Sequence, residues 1–344
     1  MSMHFDKLVL TPTRGNDIQG AFVIMDGMMD KRPLFFPFLL SVLHDLTGYR
    51  PANAFILNGG LTFVLLGLTY TCGKMLGGRR AGLLGVLLLA GLPLLGQNAT
   101  GSGMELLNFT MIVAGLLLGT QYLREPTEDR LAAFLLGVVL LAQSRYESAL
   151  YVVAAGAIVA LDWIRHRRIL LPWQAVLVPL LLVPGVLQNK VLSNSPVMWE
   201  LGEKTSRFSA DYAATNLRGA WSFLFNQNAE RANSLLLSAA GLLGLVWGIA
   251  AALRHWRRLL TASPARVTLL CFSGVIAANT VLVFFYYWSN FDDPMASRFC
   301  LPLYLLMTFA VVLLAADLPR RLPAMQVLLL VAGLGGVASA AGKS

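Results

Sequence analysis

Charged side chains are scarce in this chain. Asp, Glu, Lys and Arg make up 13% of its 344 residues, whereas they make up about a quarter of a soluble domain. Hydrophobic residues reach 56%, and the mean hydropathy is +0.64. A soluble core cannot bury so much apolar surface, so the composition excludes an ordinary soluble globule and indicates that lipid is the solvent.

Recognisable catalytic and metal-binding motifs are also missing. Cys72, Cys271 and Cys300 lie in or beside apolar segments, and their spacing fits neither a metal site nor a disulfide framework. The sequence has no phosphate-binding Walker loop, zinc motif, dinucleotide fingerprint or Gly-x-Ser-x-Gly elbow. Function must therefore be sought in individual ionisable residues.

Apolar segments dominate what is present. They predict an all-α polytopic membrane bundle of about ten transmembrane helices. The predicted spans are 52–73, 81–97, 104–122, 131–144, 146–163, 170–188, 235–253, 267–288, 299–316 and 323–341. Segment 131–144 is short for a span. A single crossing over 131–163, however, would put the arginines that flank this segment on opposite sides of the membrane, against the charge bias. We therefore predict two crossings with a tight turn at residues 145–147.

The gaps between the spans alternate in charge, which predicts their sidedness. One set is rich in Lys and Arg and is assigned to the cytoplasm. The residues of this set are Lys74, Arg79, Arg80, Arg124, Arg130, Arg165, Arg167, Arg168, Arg254, Arg257, Arg258, Arg266, Arg320 and Arg321. Because so many positive charges serve as topology signals, the net charge of +9 does not indicate a nucleic-acid partner. We expect an integral protein of a bacterial cytoplasmic membrane, surrounded by its lipids, with an outward-facing active site.

Two extramembrane pieces are predicted. Residues 1–50 form an extracytoplasmic segment whose aromatic-rich part, 33–46, is expected to lie at the membrane interface as a helix. Residues 51–344 form the transmembrane bundle, with a polar outer loop at 189–233. Export of residues 1–32 predicts an upstream helix; alternatively, 33–48 spans the membrane and the N-terminus is cytoplasmic.

The other set of gaps holds isolated ionisable residues close to apolar spans. Deep in a bilayer such a group costs about 2.5–3.5 kcal/mol on insertion scales, so a functional role is the first hypothesis. The candidates are Asp17, Lys31, Arg32, Glu105, Arg145, Glu147, Asp292, Asp293 and Arg298. The predicted topology places them all on the same side of the membrane.

Several of these segments resemble the GT-C superfamily of membrane glycosyltransferases, which includes protein O-mannosyltransferases, aminoarabinose transferases and oligosaccharyltransferases. The resemblance covers about residues 15–165 and, more weakly, the region of Arg298. It consists of an early acid, a basic-Pro-Leu-aromatic segment at 31–37, the sequence Gly-Arg-Arg-Ala-Gly-Leu-Leu at 78–84, a span ending in Pro, and an acid opening the next span. The family's first transmembrane helix is absent from the chain, and Asp17 follows Asn instead of belonging to a paired-acid motif.

This resemblance implies transfer of a sugar from a polyprenyl-phosphate donor to a glycan, lipid or protein acceptor on the extracytoplasmic face. By position, Asp17 corresponds to the acid that acts as general base, and Glu105 to a second acid that orients the acceptor or binds a metal. Arg145 and Arg298 suit the departing phosphate, because guanidinium groups form bidentate, charge-assisted bonds. Lys31 and Arg32 belong to the predicted substrate-binding segment. No cofactor is predicted with certainty, and a divalent metal at Asp292 and Asp293 is left open.

Structural explanations compete with these roles. Arg145 and Glu147 could stabilise a hairpin turn, Arg298 could anchor the interface, and the Asp292–Asp293 pair could form a solvated turn. Glu105 could be an ordinary acid at a helix N-terminus. Two other functions also stay open: a transporter or flippase for a lipid-linked or anionic solute, and a non-catalytic membrane subunit. A transporter predicts charges along a path through the bilayer and paired halves, and neither is visible.

Overall fold

The computed structural model describes residues 14–18, 21–25, 33–193, 206–228, 231–254 and 262–317. They form a helical bundle preceded by an antiparallel β-hairpin of β1 (Arg14–Ile18) and β2 (Ala21–Met25). The helices are α1 (Phe35–Thr47), α2 (Ala52–Gly77), α3 (Arg79–Ala90), α4 (Pro93–Ala99), α5 (Glu105–Arg124), α6 (Glu128–Ala142), α7 (Tyr151–His166), α8 (Trp173–Leu177), α9 (Val183–Ser193), α10 (Asp211–Leu224), α11 (Leu235–Arg254), α12 (Pro264–Phe284) and α13 (Leu301–Asp317). Short 3-10 turns cover Glu147–Leu150, Val178–Leu182 and Ser297–Cys300.

The predicted helical membrane bundle is confirmed. Within the described residues, 6 helices are long and apolar enough to cross a bilayer, namely α2, α5, α7 with its preceding 3-10 turn, α11, α12, and α13 with its preceding turn. The predicted span 81–97 is broken: α3 and α4 meet at a bend of 70°. Counting that bent pair as one span gives 7.

The remaining predicted spans leave the total of ten unconfirmed. Helix α6, at 15 residues, is short for a straight crossing. Segment 170–188 is divided among α8, a 3-10 turn and α9, where Pro179 and Pro184 lack the N–H that a continuous helix needs. The prediction for 323–341 lies outside the described residues.

Helices α5 and α13 form the interior of the bundle. In their apolar windows 72% and 61% of residues are buried, against 22% in α2 and in α11. Helix α5 packs on α2, α6 and α12, while α13 packs on α2, α3 and α11. The outer helices therefore present most of their apolar surface to the surroundings, as expected for helices that face lipid.

Glycines let the helices approach closely where they cross. A Cβ added at Gly73 of α2 would lie 2.9 Å from the Cα of Gly82 on α3. On α11, a Cβ at Gly241 would collide with Met307, and one at Gly244 would lie 2.9 Å from the backbone of Ala310 on α13. Small residues at these crossings allow the backbone contact that drives helix association in lipid.

The two ends of the bundle carry different residues, and contacts between helix ends show which residues lie together. At one end Arg266, which begins α12, pairs with Asp317, which ends α13, at 2.5 Å. Also at this end, Arg168 donates to the carbonyl of Pro126 at 2.8 Å. The arginine-rich connections thus meet one another, and the opposite ends of the same helices carry the residues of the candidate site.

Helices α1 and α10 lie outside the spans that the sequence predicts. Helix α1 falls where an interfacial helix was expected, and Asn53 of α2 ties it down by donating to the carbonyl of Gly48 at 2.9 Å. Its interfacial position stays a prediction. Helix α10 lies inside the predicted polar loop and buries Phe223 and Leu224. A search for continuous apolar runs misses α10, because its apolar residues recur on one face only.

Candidate active site

A buried carboxylate begins helix α5. Glu105 is 6% exposed, and it stands in the first turn, where the helix dipole favours an acid. The buried amide of Asn58 on α2 donates to the carbonyls of Gly101 and Gly103, both at 2.9 Å, and so holds the loop that leads into α5. A side chain at position 103 would collide with the carboxylate, so the local backbone is shaped around Glu105.

Two arginines from distant parts of the chain converge on this carboxylate. Arg298 approaches from the turn before α13, with its Nη1 at 3.0 Å from Oε1 of Glu105. Arg145 comes from the turn between α6 and α7, with its Nη1 at 3.3 Å from the same oxygen. The Nε of Arg145 also lies 2.5 Å from Oε1 of Glu147. Two acids and two arginines therefore form one neutral cluster.

Aromatic rings cover the arginines on one side. The guanidinium carbon of Arg145 lies 5.1 Å from the ring centroid of Phe299. That of Arg298 lies 5.7 Å from the centroids of both Phe299 and Trp288. Rings at these distances attract cations electrostatically, and they also limit the access of water.

Asn108 fastens the turn that carries Arg145 and Glu147. One helical turn beyond Glu105, its Oδ1 accepts hydrogen bonds from the hydroxyls of Ser144, at 2.8 Å, and Ser148, at 2.5 Å. All three polar side chains are at most 4% exposed. Because Ser144 and Ser148 flank the charged turn, this network sets its position against α5.

A small pocket opens beside the cluster. Its empty space measures about 300 Å³ including open solvent, of which about 10 Å³ admits the centre of a water molecule. Its lining comprises Glu105, Asn108, Phe109, Arg145, Glu147, Asn279, Val283, Arg298, Phe299, Leu301 and Pro302. A volume of this size holds about one water molecule, so a single polar group such as a phosphate oxygen fits, whereas a whole sugar needs the space outside.

The structure brings together four of the residues singled out in the sequence: Glu105, Arg145, Glu147 and Arg298. Asp292 lies apart from them and is 3.2 Å from Arg231. Asp293 accepts the backbone N–H of Met295 at 2.8 Å, as in a solvated turn. No group of three or more His, Cys, Asp or Glu side chains suited to a metal occurs among the residues that the structure describes.

Three further candidates, Asp17, Lys31 and Arg32, belong to the N-terminal segment. Asp17 lies on β1, paired in register with Phe22 on β2, in a hairpin that the sequence did not predict. The side chain of Asp17, like Lys31 and Arg32, lies outside the described part of the structure. The roles expected of these three residues stay predictions.

Sequence inspection missed the buried polar residues around the cluster. Asn58, Asn108 and Asn279 are buried amides in apolar helices, and a lone amide in a span is itself a signal, because its burial costs free energy. The spacing between Glu105 and Asn108 also places both on one helix face. No comparable signal links Phe299 to Arg145 or Trp288 to Arg298.

No protein-family model and no curated protein sequence matches this chain. Its structure, however, is similar to solved membrane proteins. The structure of ArnT from Cupriavidus metallidurans bound to undecaprenyl phosphate matches with a TM-score of 0.56 and 14% identity, covering 87% of this chain and 52% of that one. The apo state of the same protein matches equally.

A second protein shares the architecture. The oligosaccharyltransferase of Archaeoglobus fulgidus, in complex with Zn and sulfate, matches with a TM-score of 0.55 and 12% identity, covering 92% of this chain and 45% of that one. The chain thus spans about half the length of the structures it matches. At these identities the likeness concerns the fold, and the chain has the GT-C-like membrane fold that its sequence predicted.

Proposed function

We propose that this protein transfers a sugar from a polyprenyl-phosphate-linked donor to an acceptor, at the bundle end opposite its arginine-rich connections. One observation carries the proposal: the guanidinium groups of Arg145 and Arg298 converge on buried Glu105 beside a pocket, in a GT-C-like fold. The similar ArnT was solved with undecaprenyl phosphate bound, which favours a lipid phosphate as the ligand here.

The charges of the cluster suit an incoming anion. Glu105 and Glu147 balance the charges of the two arginines. Arg298 is 30% exposed and makes a single contact of 3.0 Å with Glu105, so other faces of its guanidinium group can receive a phosphate oxygen. Positive groups already held in place near the breaking bond stabilise the charge that develops on the departing phosphate.

Glu105 then has a positioning role. Both arginines contact its Oε1, so this carboxylate holds them at one point as a phosphate would. A base must still accept the proton of the acceptor, and Asp17 is the residue to which we assign this step.

The proposed sidedness follows the charge pattern. The arginine-rich connections meet at one end of the bundle, and the cluster lies at the other. By the positive-inside rule, the arginine-rich end is cytoplasmic and the pocket opens outward. In that location the exposed apolar faces of the helices adjoin the lipid in which a polyprenyl tail dissolves.

Undecaprenyl phosphate binding tests the proposal. We expect the protein, purified in a phosphate-free maltoside detergent, to bind it, and Arg298→Ala to weaken binding about tenfold or more, since a hydrogen bond to a charged group is worth about 1.5–3 kcal/mol. Titration calorimetry or native mass spectrometry measures the affinity.

Arg130→Ala is the matched control. The Arg130 side chain is 37% exposed and pairs with Glu125 at 2.5 Å among the arginine-rich connections. Equal losses in the two variants would contradict phosphate binding by Arg298. Transfer itself is tested with polyprenyl-phosphate sugars, where Asp17→Asn should abolish turnover while leaving expression intact.

A further inference from the structure

Asn279 is an unpartnered amide in the interior of the protein. It lies on α12, is 6% exposed, and lines the pocket beside Glu105 and Arg298. Its side chain makes no hydrogen bond to any residue that the structure describes. An amide left in this state inside an apolar helix is costly.

The other buried asparagines behave differently. Their side chains all form hydrogen bonds that hold backbone or hydroxyl groups in place; these residues are Asn53, Asn58, Asn108, Asn216 and Asn233. Buried polar groups in proteins are nearly always satisfied. Single oxygens of Asn58 and Asn233 also lack partners, but Asn279 differs from all five because its whole side chain makes no hydrogen bond to a described residue, so its amide is available to a ligand in the pocket.

Arg298, which lines the same pocket, has a second unsatisfied donor. The Nε of Arg298 is buried and has no hydrogen-bond partner among the described residues, although Nη1 of that side chain contacts Glu105. Within the described lining, an amide on α12 and a guanidinium N–H before α13 thus both lack acceptors. Two such donors favour an oxygen anion over a cation or an apolar group.

We infer that Asn279 is a substrate-binding residue whose amide donates a hydrogen bond to a phosphate oxygen of the ligand, in the pocket that Arg298 also lines. This assignment rests on the proposed function and adds a contact that the sequence did not single out. The pocket admits about one oxygen-sized group, so one phosphate oxygen enters it and the attached sugar and lipid remain outside.

The experiment compares Asn279→Leu, a substitution of similar volume, with the unaltered protein. Undecaprenyl phosphate is titrated in the maltoside detergent, so that no other phosphate is present. We expect binding to weaken about 10- to 100-fold, since a hydrogen bond to a charged group is lost. The midpoint of thermal unfolding should stay unchanged or rise, because no internal hydrogen bond is removed.

Asn108→Leu is the stability control, because Asn108 has two hydroxyl partners and its loss should lower the unfolding midpoint. Asn279→Asp tests the direction of the bond: a carboxylate repels phosphate, so binding should fall at least as far as with leucine. Inorganic phosphate as competitor identifies the source of the group. If inorganic phosphate displaces undecaprenyl phosphate, free phosphate is sufficient for binding. If it does not, the lipid is required.

Four results would each overturn a different claim, and the measurements distinguish them from one another. Binding by Asn279→Leu within twofold of the unaltered protein would remove Asn279 while leaving the proposed function standing. An unfolding midpoint lowered as far as in Asn108→Leu would assign Asn279 to structure. Retained binding by Asn279→Asp would make the residue an acceptor. If the unaltered protein binds no undecaprenyl phosphate, the proposed function fails, and the inference fails with it.

Discussion

The candidate site is made of a few single side chains, and Glu105 is the centre around which they are arranged. Its carboxylate is nearly inaccessible, yet it lies 3.0 Å from one arginine and 3.3 Å from another. Burial of a charge is tolerable only when other charges and hydrogen bonds compensate it. Each arginine therefore depends on the acid, and the acid depends on both arginines.

This dependence predicts the effect of Glu105→Gln. Removing the negative charge leaves the guanidinium groups of Arg145 and Arg298 facing each other without a shared partner. We expect a destabilisation of roughly 1–3 kcal/mol, seen as a lower midpoint of thermal unfolding in detergent. Glu125→Gln is the control, since Glu125 is 61% exposed in its pair with Arg130 and such pairs contribute about 0–1 kcal/mol. Equal midpoints for the two variants would contradict the central role of Glu105.

At the scale of whole helices, close crossings hold the cluster in place. Helix α5 presents Glu105, the turn between α6 and α7 presents Arg145, and the turn before α13 presents Arg298. Apolar attraction between helices is weak in lipid, so their positions depend on packing and on interhelical hydrogen bonds. Glycines at the crossings and the Asn58 and Asn108 networks provide both.

Helix α2 offers an internal comparison of two glycines. A Cβ at Gly73 would lie 2.9 Å from the backbone of Gly82, whereas nothing lies within 4 Å of one at Gly60. We expect Gly73→Ala to push α2 and α3 apart at a cost of about 1–3 kcal/mol, and Gly60→Ala to be neutral or slightly stabilising because it raises helix propensity. Thermal unfolding of the two variants measures the difference, and similar midpoints would argue against tight packing at Gly73.

At the scale of the whole molecule, the helices alternate in direction, so the site residues lie together at one end of the bundle and the arginine-rich connections at the other. The start of α5 meets the turn between α6 and α7 through Glu105 and Arg145. The end of α5 meets the end of α7, where Tyr122 donates to Asp162 at 2.7 Å. The bundle therefore separates an end that holds the pocket from an end that holds the arginine-rich connections.

Cysteine labelling tests the membrane orientation of these ends. Exposed Ser102 lies at the pocket end and exposed Glu128 at the arginine-rich end, so Ser102→Cys and Glu128→Cys should react with an impermeant maleimide from opposite sides. We expect Ser102→Cys to react from outside in intact cells, and Glu128→Cys only after permeabilisation. The unaltered protein is the control for background, because Cys72 and Cys300 are buried. Labelling of both positions from one side would contradict the topology.

The membrane bundle was predictable from composition, because apolar segments of about 20 residues and alternating positive gaps follow from the cost of burying charge and backbone in lipid. Even the short turn at Arg145 was predictable, because charge sidedness demanded two crossings. The bend between α3 and α4, the hairpin at β1 and β2, and helix α10 were not. Their formation depends on local backbone and one-sided packing that hydropathy does not measure.

By itself, the sequence determined that this chain is embedded in a lipid membrane. It also determined that four ionisable residues border apolar spans: Glu105, Arg145, Glu147 and Arg298. Only the tertiary structure decided that these four residues meet, and that Asp292 pairs with Arg231 instead of joining them. The physical reason is the length of chain over which each property is determined. Insertion into a bilayer depends on segments of about 20 consecutive residues, which can be read directly from the sequence. A shared oxygen between Arg145 and Arg298 depends on how distant helices cross, and that is settled by packing.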